Sequence, residues 1–146
     1  MVLSLLVMIS LCTGCTSSSP QQGSYGTVVT QTSVAAPETP GPTQTLPHNY
    51  EVSVEVHSDG HAHAPHVIFT FQGGYGMNVI PEIDVRLTRS DGIVENDKMV
   101  SPLTIGQSIS LDSTNTNTDR AEVWVITPSG DRVKVVDKYV PFRSYS

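Results

Sequence analysis

His66-Val67-Ile68-Phe69-Thr70-Phe71-Gln72-Gly73-Gly74 decides the fold. Its interior is β-branched and aromatic, as suits a central strand, and two glycines stop it. Upstream, Tyr50, Val52, Val54 and Val56 alternate with Glu51, Ser53 and Glu55, the period of a half-buried strand. Ser58-Asp59-Gly60 separates the two as a turn. Downstream, Ile83, Val85 and Leu87 alternate with Asp84, Arg86 and Thr88, and Ser90-Asp91-Gly92 turns the chain again. Residues 100–105, interrupted by Pro102, read as a short edge strand, and Ile109 and Leu111 form the next. After a polar loop at 113–119, residues 122–126 and 133–140 are two further strands, joined by Pro128-Ser129-Gly130-Asp131. These are about seven short strands separated by turns, with no helical period. They predict an all-β domain, an antiparallel sandwich or barrel. Lys134, Lys138 and Pro102 read as edge-protecting residues, and Phe69, Phe71, Trp124 and Tyr139 as core or core-edge.

At 146 residues the chain has room for one domain and length to spare. The spare length lies at the N-terminal side. Residues 16–47 are about three-quarters Thr, Ser, Pro, Gln and Gly, a composition that buries too little apolar surface to offset the entropy of ordering. Pro37, Pro40, Pro42 and Pro47 favour extended polyproline stretches. The expectation is a disordered tether over 15–47, with a reach of about 30 Å as a coil and about 100 Å extended. The sandwich is expected over 48–146. A formal net charge of −6 argues against nucleic acid and an anionic membrane surface as direct partners. The charge is unevenly placed, because no Lys or Arg precedes Arg86.

Before the tether comes Val2-Leu3-Ser4-Leu5-Leu6-Val7-Met8-Ile9-Ser10-Leu11-Cys12-Thr13-Gly14-Cys15. The apolar run is shorter than the ~20 residues a membrane span needs and has the length of a signal h-region. Two small residues before Cys15 give a peptidase access to the backbone. Residues 1–14 are therefore expected to be a lipoprotein signal, and Cys15 the first mature residue, its thiol carrying the lipid. One acyl chain binds a membrane only marginally and two anchor it stably, so two chains are expected. The two cysteines both lie in this segment, so the mature chain has no partner for an internal disulfide. A redox reading of Cys12-x-x-Cys15 is disfavoured by its place at the end of an apolar leader. The expected location is the outer face of the cell membrane.

Phe69-Thr70-Phe71-Gln72-Gly73-Gly74, Ile83-Asp84-Val85, Leu103-Thr104-Ile105-Gly106-Gln107 and Val123-Trp124-Val125-Ile126-Thr127-Pro128-Ser129-Gly130 together resemble the C-terminal β-domain of archaeal type IV pilin-like proteins. The resemblance covers residues 67–141. It implies a single immunoglobulin-like antiparallel β-sandwich of about seven strands on an archaeal cell surface. It brings no catalytic residues. The chain departs from that family in its leader, which ends at Cys15 instead of continuing as a filament-forming helix.

One cluster carries side chains suited to chemistry. His57-Ser58-Asp59-Gly60-His61-Ala62-His63-Ala64-Pro65-His66 puts four imidazoles and a carboxylate on one turn. Neutral imidazole suits zinc, copper or nickel. If the hairpin brings His57 opposite His66, with His61 and His63 reaching from the loop, these four are the candidate metal ligands. The alternative is a solvated polar loop that holds no cofactor. Elsewhere no Ser sits in a nucleophile elbow, no Gly-rich loop precedes a helix, and the acidic residues Asp91, Glu95 and Asp97 lack full calcium-loop spacing. No enzyme is expected. The expected function is that of a lipid-anchored structural or protein-interaction module with a cell-surface protein partner, the alternative being a metal-binding lipoprotein.

Overall fold

The computed structural model describes residues 38–144. The chain divides into two units, Met1–Gln31 and Thr32–Ser146, and every described residue belongs to the second. The expected signal peptide, Cys15 and most of the expected tether lie outside the described residues.

Seven antiparallel strands make two sheets. Strands β1 (Ser53–Ser58), β2 (His66–Gly73) and β5 (Ser108–Asp112) form one, in the order β1-β2-β5. Strands β3 (Glu82–Thr88), β4 (Val94–Val100), β6 (Thr118–Ile126) and β7 (Arg132–Pro141) form the other, in the order β4-β3-β6-β7. Before β1 comes one 3-10 turn, His48–Tyr50. This is a single all-β sandwich with immunoglobulin-like strand order, in which the fourth strand lies beside the third instead of the fifth.

A two-residue period sorts the side chains between core and solvent. Val67, Phe69 and Phe71 on β2 face Ile83, Val85 and Leu87 on β3 and Ala121, Val123 and Val125 on β6, all buried in one cluster. Phe69 and Phe71 are the largest fully buried side chains. Removing side chains of this size from water contributes roughly 1.5–3 kcal/mol each. Trp124 lies on the outer face of β6, since the period turns Val123 and Val125 inward.

The structure corrects two expectations. The fourth strand is Val94–Val100, earlier than residues 100–105. Its sequence, VENDKMV, shows no alternation because β4 is an edge strand and Met99 is its one buried residue. Residues 101–107 form a loop, in which Leu103 is buried and the Ser101 amide donates to the Pro81 carbonyl at 2.9 Å. The second correction concerns the start of the domain, expected at residue 48. Leu46 is buried in the core, the Gln44 amide donates to the Lys134 carbonyl at 2.8 Å, and the Gly41 amide donates to Asp137 Oδ2 at 2.9 Å. Residues 38–47 thus lie along the outer edge of β7 and belong to the packed body. One apolar side chain and two hydrogen bonds achieve what the polar composition did not suggest.

The remaining edges are capped by side chains. Lys138 Nζ donates to the Val56 carbonyl at 2.8 Å and closes β7 against β1. On the other side the Asp112 amide of β5 donates to Glu95 Oε2 of β4 at 3.0 Å.

Candidate functional site

The loop between β1 and β2 is organised by Asp59. Its Oδ1 accepts from the amides of His61 (3.1 Å) and His66 (3.0 Å), and its Oδ2 lies 3.0 Å from His66 Nδ1. An Asp side chain folding onto following amides is a local turn device. The other ring nitrogen of His66, Nε2, stands 3.3 Å from Asp112 Oδ1 on β5. The imidazole therefore sits between two carboxylates. Burial works to raise the Asp59 pKa, but the amides of His66 and His61 and the His66 ring outweigh it, and the carboxyl lies below its ordinary value.

The four imidazoles do not meet. The register pairs His57 with Ile68 and Ser58 with Val67, so Asp59, not His57, comes to stand beside His66. His57 points out from β1, since Val56 and Ser58 on either side are buried. His61 reaches only to 3.9 Å of Asp59 Oδ2, with its side chain 79% exposed. His63 is exposed in the loop. Among the described residues no group of three or more His, Cys, Asp or Glu side chains is placed to hold a metal ion.

A second cluster lies on the outer face of β6 and β7. Arg120 and Glu122 are buried there although they point away from the core. Arg120 donates to both oxygens of Asp137 at 2.8 Å, and Lys134 Nζ donates to Glu122 Oε1 at 2.7 Å and Asp137 Oδ2 at 2.9 Å. Arg120, foremost, and Lys134 hold the Asp137 carboxyl far below the usual carboxylate range against the opposing effect of burial. Beside this network Arg132 lies 4.1 Å over the Trp124 ring and donates to Asp84 Oδ2 at 3.0 Å. Every carboxylate of the network faces a cation, and through Asp137 the cluster fastens the segment around Gly41 to the sheet.

The end of the sandwich opposite the histidines carries four large exposed apolar side chains. It is built by the loop after β2 (residues 74–81), the loop after β4 (residues 101–107) and the turn at His48–Tyr50. Tyr75, Val79, Val100 and Ile105 stand there at 74%, 47%, 52% and 63% exposure. Their backbones are fixed. The Gly76 amide donates to the Glu51 carbonyl, the Val79 and Ile80 amides to Gly76, and the Gly106 amide to Phe71. Gly76 is required for this approach, because a Cβ there would stand 2.6 Å from the Tyr50 carbonyl carbon. The Tyr75 ring leans on His48, with centroids 4.3 Å apart.

The chain matches no protein-family model, no curated protein and no solved structure. Its functional surfaces are therefore read from its own geometry. The apolar end was not found in the sequence, where Gln72-Gly73-Gly74-Tyr75-Gly76-Met77 reads as a turn. The available signal is an aromatic residue enclosed by glycines, a place with little backbone bulk to hide it. Among the described residues no helix is long and apolar enough to cross a membrane.

Proposed function

We propose that this protein is a lipid-anchored, non-enzymatic β-sandwich of the cell surface that serves as a structural or protein-interaction module. In this reading Cys15 carries the lipid and the polar segment after it presents the domain. The domain engages a surface protein through the end that carries Tyr75, Val79, Val100 and Ile105. The observation that supports it most is this set of exposed apolar side chains on hydrogen-bonded loops. Isolated exposed apolar residues are ordinary, but several at one end of a small domain mark interaction surfaces. We also carry the kinship to archaeal type IV pilin-like β-domains as part of the proposal; its support is the set of short motifs on β2, β3 and β6 and in the loop at 103–107.

Two measurements test the reading. The mass of the protein extracted from membranes should exceed that of the chain from Cys15 onward by two lipid chains, and Cys15→Ser should release it to the soluble fraction. Photo-crosslinking from position 79 or 105 on intact cells should give a discrete protein adduct that Tyr75→Ser abolishes without loss of folding. An unmodified Cys15, or a crosslinking pattern indifferent to Tyr75, overturns the corresponding half.

A further inference from the structure

The chain holds eight Lys and Arg residues against fourteen Asp and Glu. Among the described residues six of the eight are ion-paired. Arg86 faces Glu122, Arg89 faces Asp91 and Glu95, Lys98 faces Glu82, Arg132 faces Asp84, and Arg120 and Lys134 share Glu122 and Asp137. The two without a carboxylate partner among the described residues are Lys138 and Arg143. Both line one cleft of about 310 Å³ between β1 and β7, together with His57 and Tyr139, over a floor that includes Val56 and Val140. Among the described residues no carboxylate lines it. In an acidic domain this is a local concentration of uncompensated positive charge, the kind of place that attracts an anion and is not screened by its own neighbours.

The cleft also lies between two strand edges. β1 has only β2 as a strand neighbour and β7 only β6, so the outer edges of both face this space. Lys138 bridges them through the Val56 carbonyl and spends one of its three donors there. Further along the same edge of β7 the chain's own residues 41–46 already pack, with the Gln44 amide on the Lys134 carbonyl and the Gly41 amide on the Asp137 carboxylate. That edge thus accepts main-chain hydrogen bonds from another segment, and among the described residues none of 38–47 lines the cleft. Extended peptides recognise sheet edges by main-chain hydrogen bonds and choose their place by side-chain pockets.

We propose that the β1–β7 cleft binds an extended acidic peptide segment of a partner protein, with a Glu or Asp carboxylate seated between Lys138 and Arg143. The site is separate from the apolar end, so either can fail without the other. The test is a calorimetric titration of the full chain at low salt. The ligand is a capped hexapeptide of alternating Glu and Val, run beside its Gln-for-Glu counterpart, an oligogalacturonate and inorganic phosphate.

The Glu peptide should bind, the Gln peptide should not, and added salt should weaken the complex. Arg143→Gln, which lies beyond the last strand, should reduce affinity by about tenfold, as expected when one member of a charge pair is removed. Lys138→Gln should do the same, with a melting curve to show that it folds. Lys98→Gln, on β4 at the opposite edge of the sheet that ends in β7, should leave binding unchanged. Equal binding of the Gln peptide, indifference to Arg143→Gln, or tighter binding of oligogalacturonate or phosphate than of the Glu peptide overturns the proposal.

Discussion

Asp137 receives Arg120 in a two-pronged pair, Nε on Oδ1 and Nη2 on Oδ2, each at 2.8 Å. The Asp137 side chain is fully buried, and its Oδ2 also accepts from the Gly41 amide and from Lys134 Nζ, each at 2.9 Å. Breaking a buried pair outright costs roughly 3–5 kcal/mol, and without Asp137 the Arg120 and Lys134 cations are left to share Glu122, so the loss here is large but below that limit. Asp137→Asn should therefore lower the urea midpoint strongly. The pH dependence follows from the direction of the shift. Asp137 is held below its ordinary value of 3.8, so its contribution is complete above the unfolded pKa and is lost as the pH falls through the folded one. Stability should decline from about pH 5 downward, and Asp137→Asn should flatten that decline.

Leu46 joins residues 38–47 to the core, where it is 7% exposed. Leu46→Ala should cost about 2–5 kcal/mol, the range for deleting a buried leucine. The Gln44 amide, bonded to Lys134, should lose its protection from hydrogen exchange in that variant, while amides in the β3–β6 pairing keep theirs relative to global unfolding. Full stability in a chain beginning at residue 48 would show that this segment contributes nothing.

The fold was legible where one face of a strand is buried. Strands β2 and β3 alternate because each has a strand on both sides and the core beneath one face, and the sequence pattern follows that geometry. β4 was misplaced because an edge strand with only Met99 in the core needs no alternation. The packing of residues 38–47 was hidden for a related reason: it depends on Leu46 and on backbone amides, which composition does not report. The histidine cluster was legible as a loop but not as a site. Which imidazole meets which carboxylate depends on strand register, and two residues of register separate His57 beside His66 from Asp59 beside it.

Asp119 is a carboxylate pointing inward from β6 and only 1% exposed. It accepts from the Ser90 amide at 2.8 Å, the Thr114 amide at 2.8 Å and the Thr114 hydroxyl at 2.6 Å. It ties the loop after β3 to the loop after β5. Hydrogen bonds to a charged group contribute about 1.5–3 kcal/mol each, and an orphaned buried amide carries its own penalty. Asp119→Ala should cost at least about 3 kcal/mol on that scale, more than Asp112→Ala on the exposed face of β5. Equal costs for the two would show that the loops hold together without Asp119.

Asp59 bonds two amides and one imidazole of the histidine loop. Asp59→Ala should open that loop alone. The His61 and His66 amides should exchange faster by about ten- to a hundredfold, whereas the Phe69 and Phe71 amides in the same hairpin should not change. Because the Asp59 carboxyl lies below its ordinary value, this protection should be complete above the unfolded pKa and fade as the pH drops through the folded one.

Metal titration separates an imidazole loop from a metal site. His66 has both ring nitrogens against carboxylates, His57 points away on β1, and His61 and His63 are exposed on one short loop. A ligand that binds only the folded state at a hundred times its Kd raises stability by about 2.7 kcal/mol, which a melting curve detects easily. Zinc, copper and nickel at micromolar concentrations should give no such shift with the full chain, and His61→Ala with His63→Ala should melt as the parent does. Stoichiometric binding that this double variant abolishes would require the loop to rearrange, with His66 turning away from Asp59 and Asp112 to join the other imidazoles.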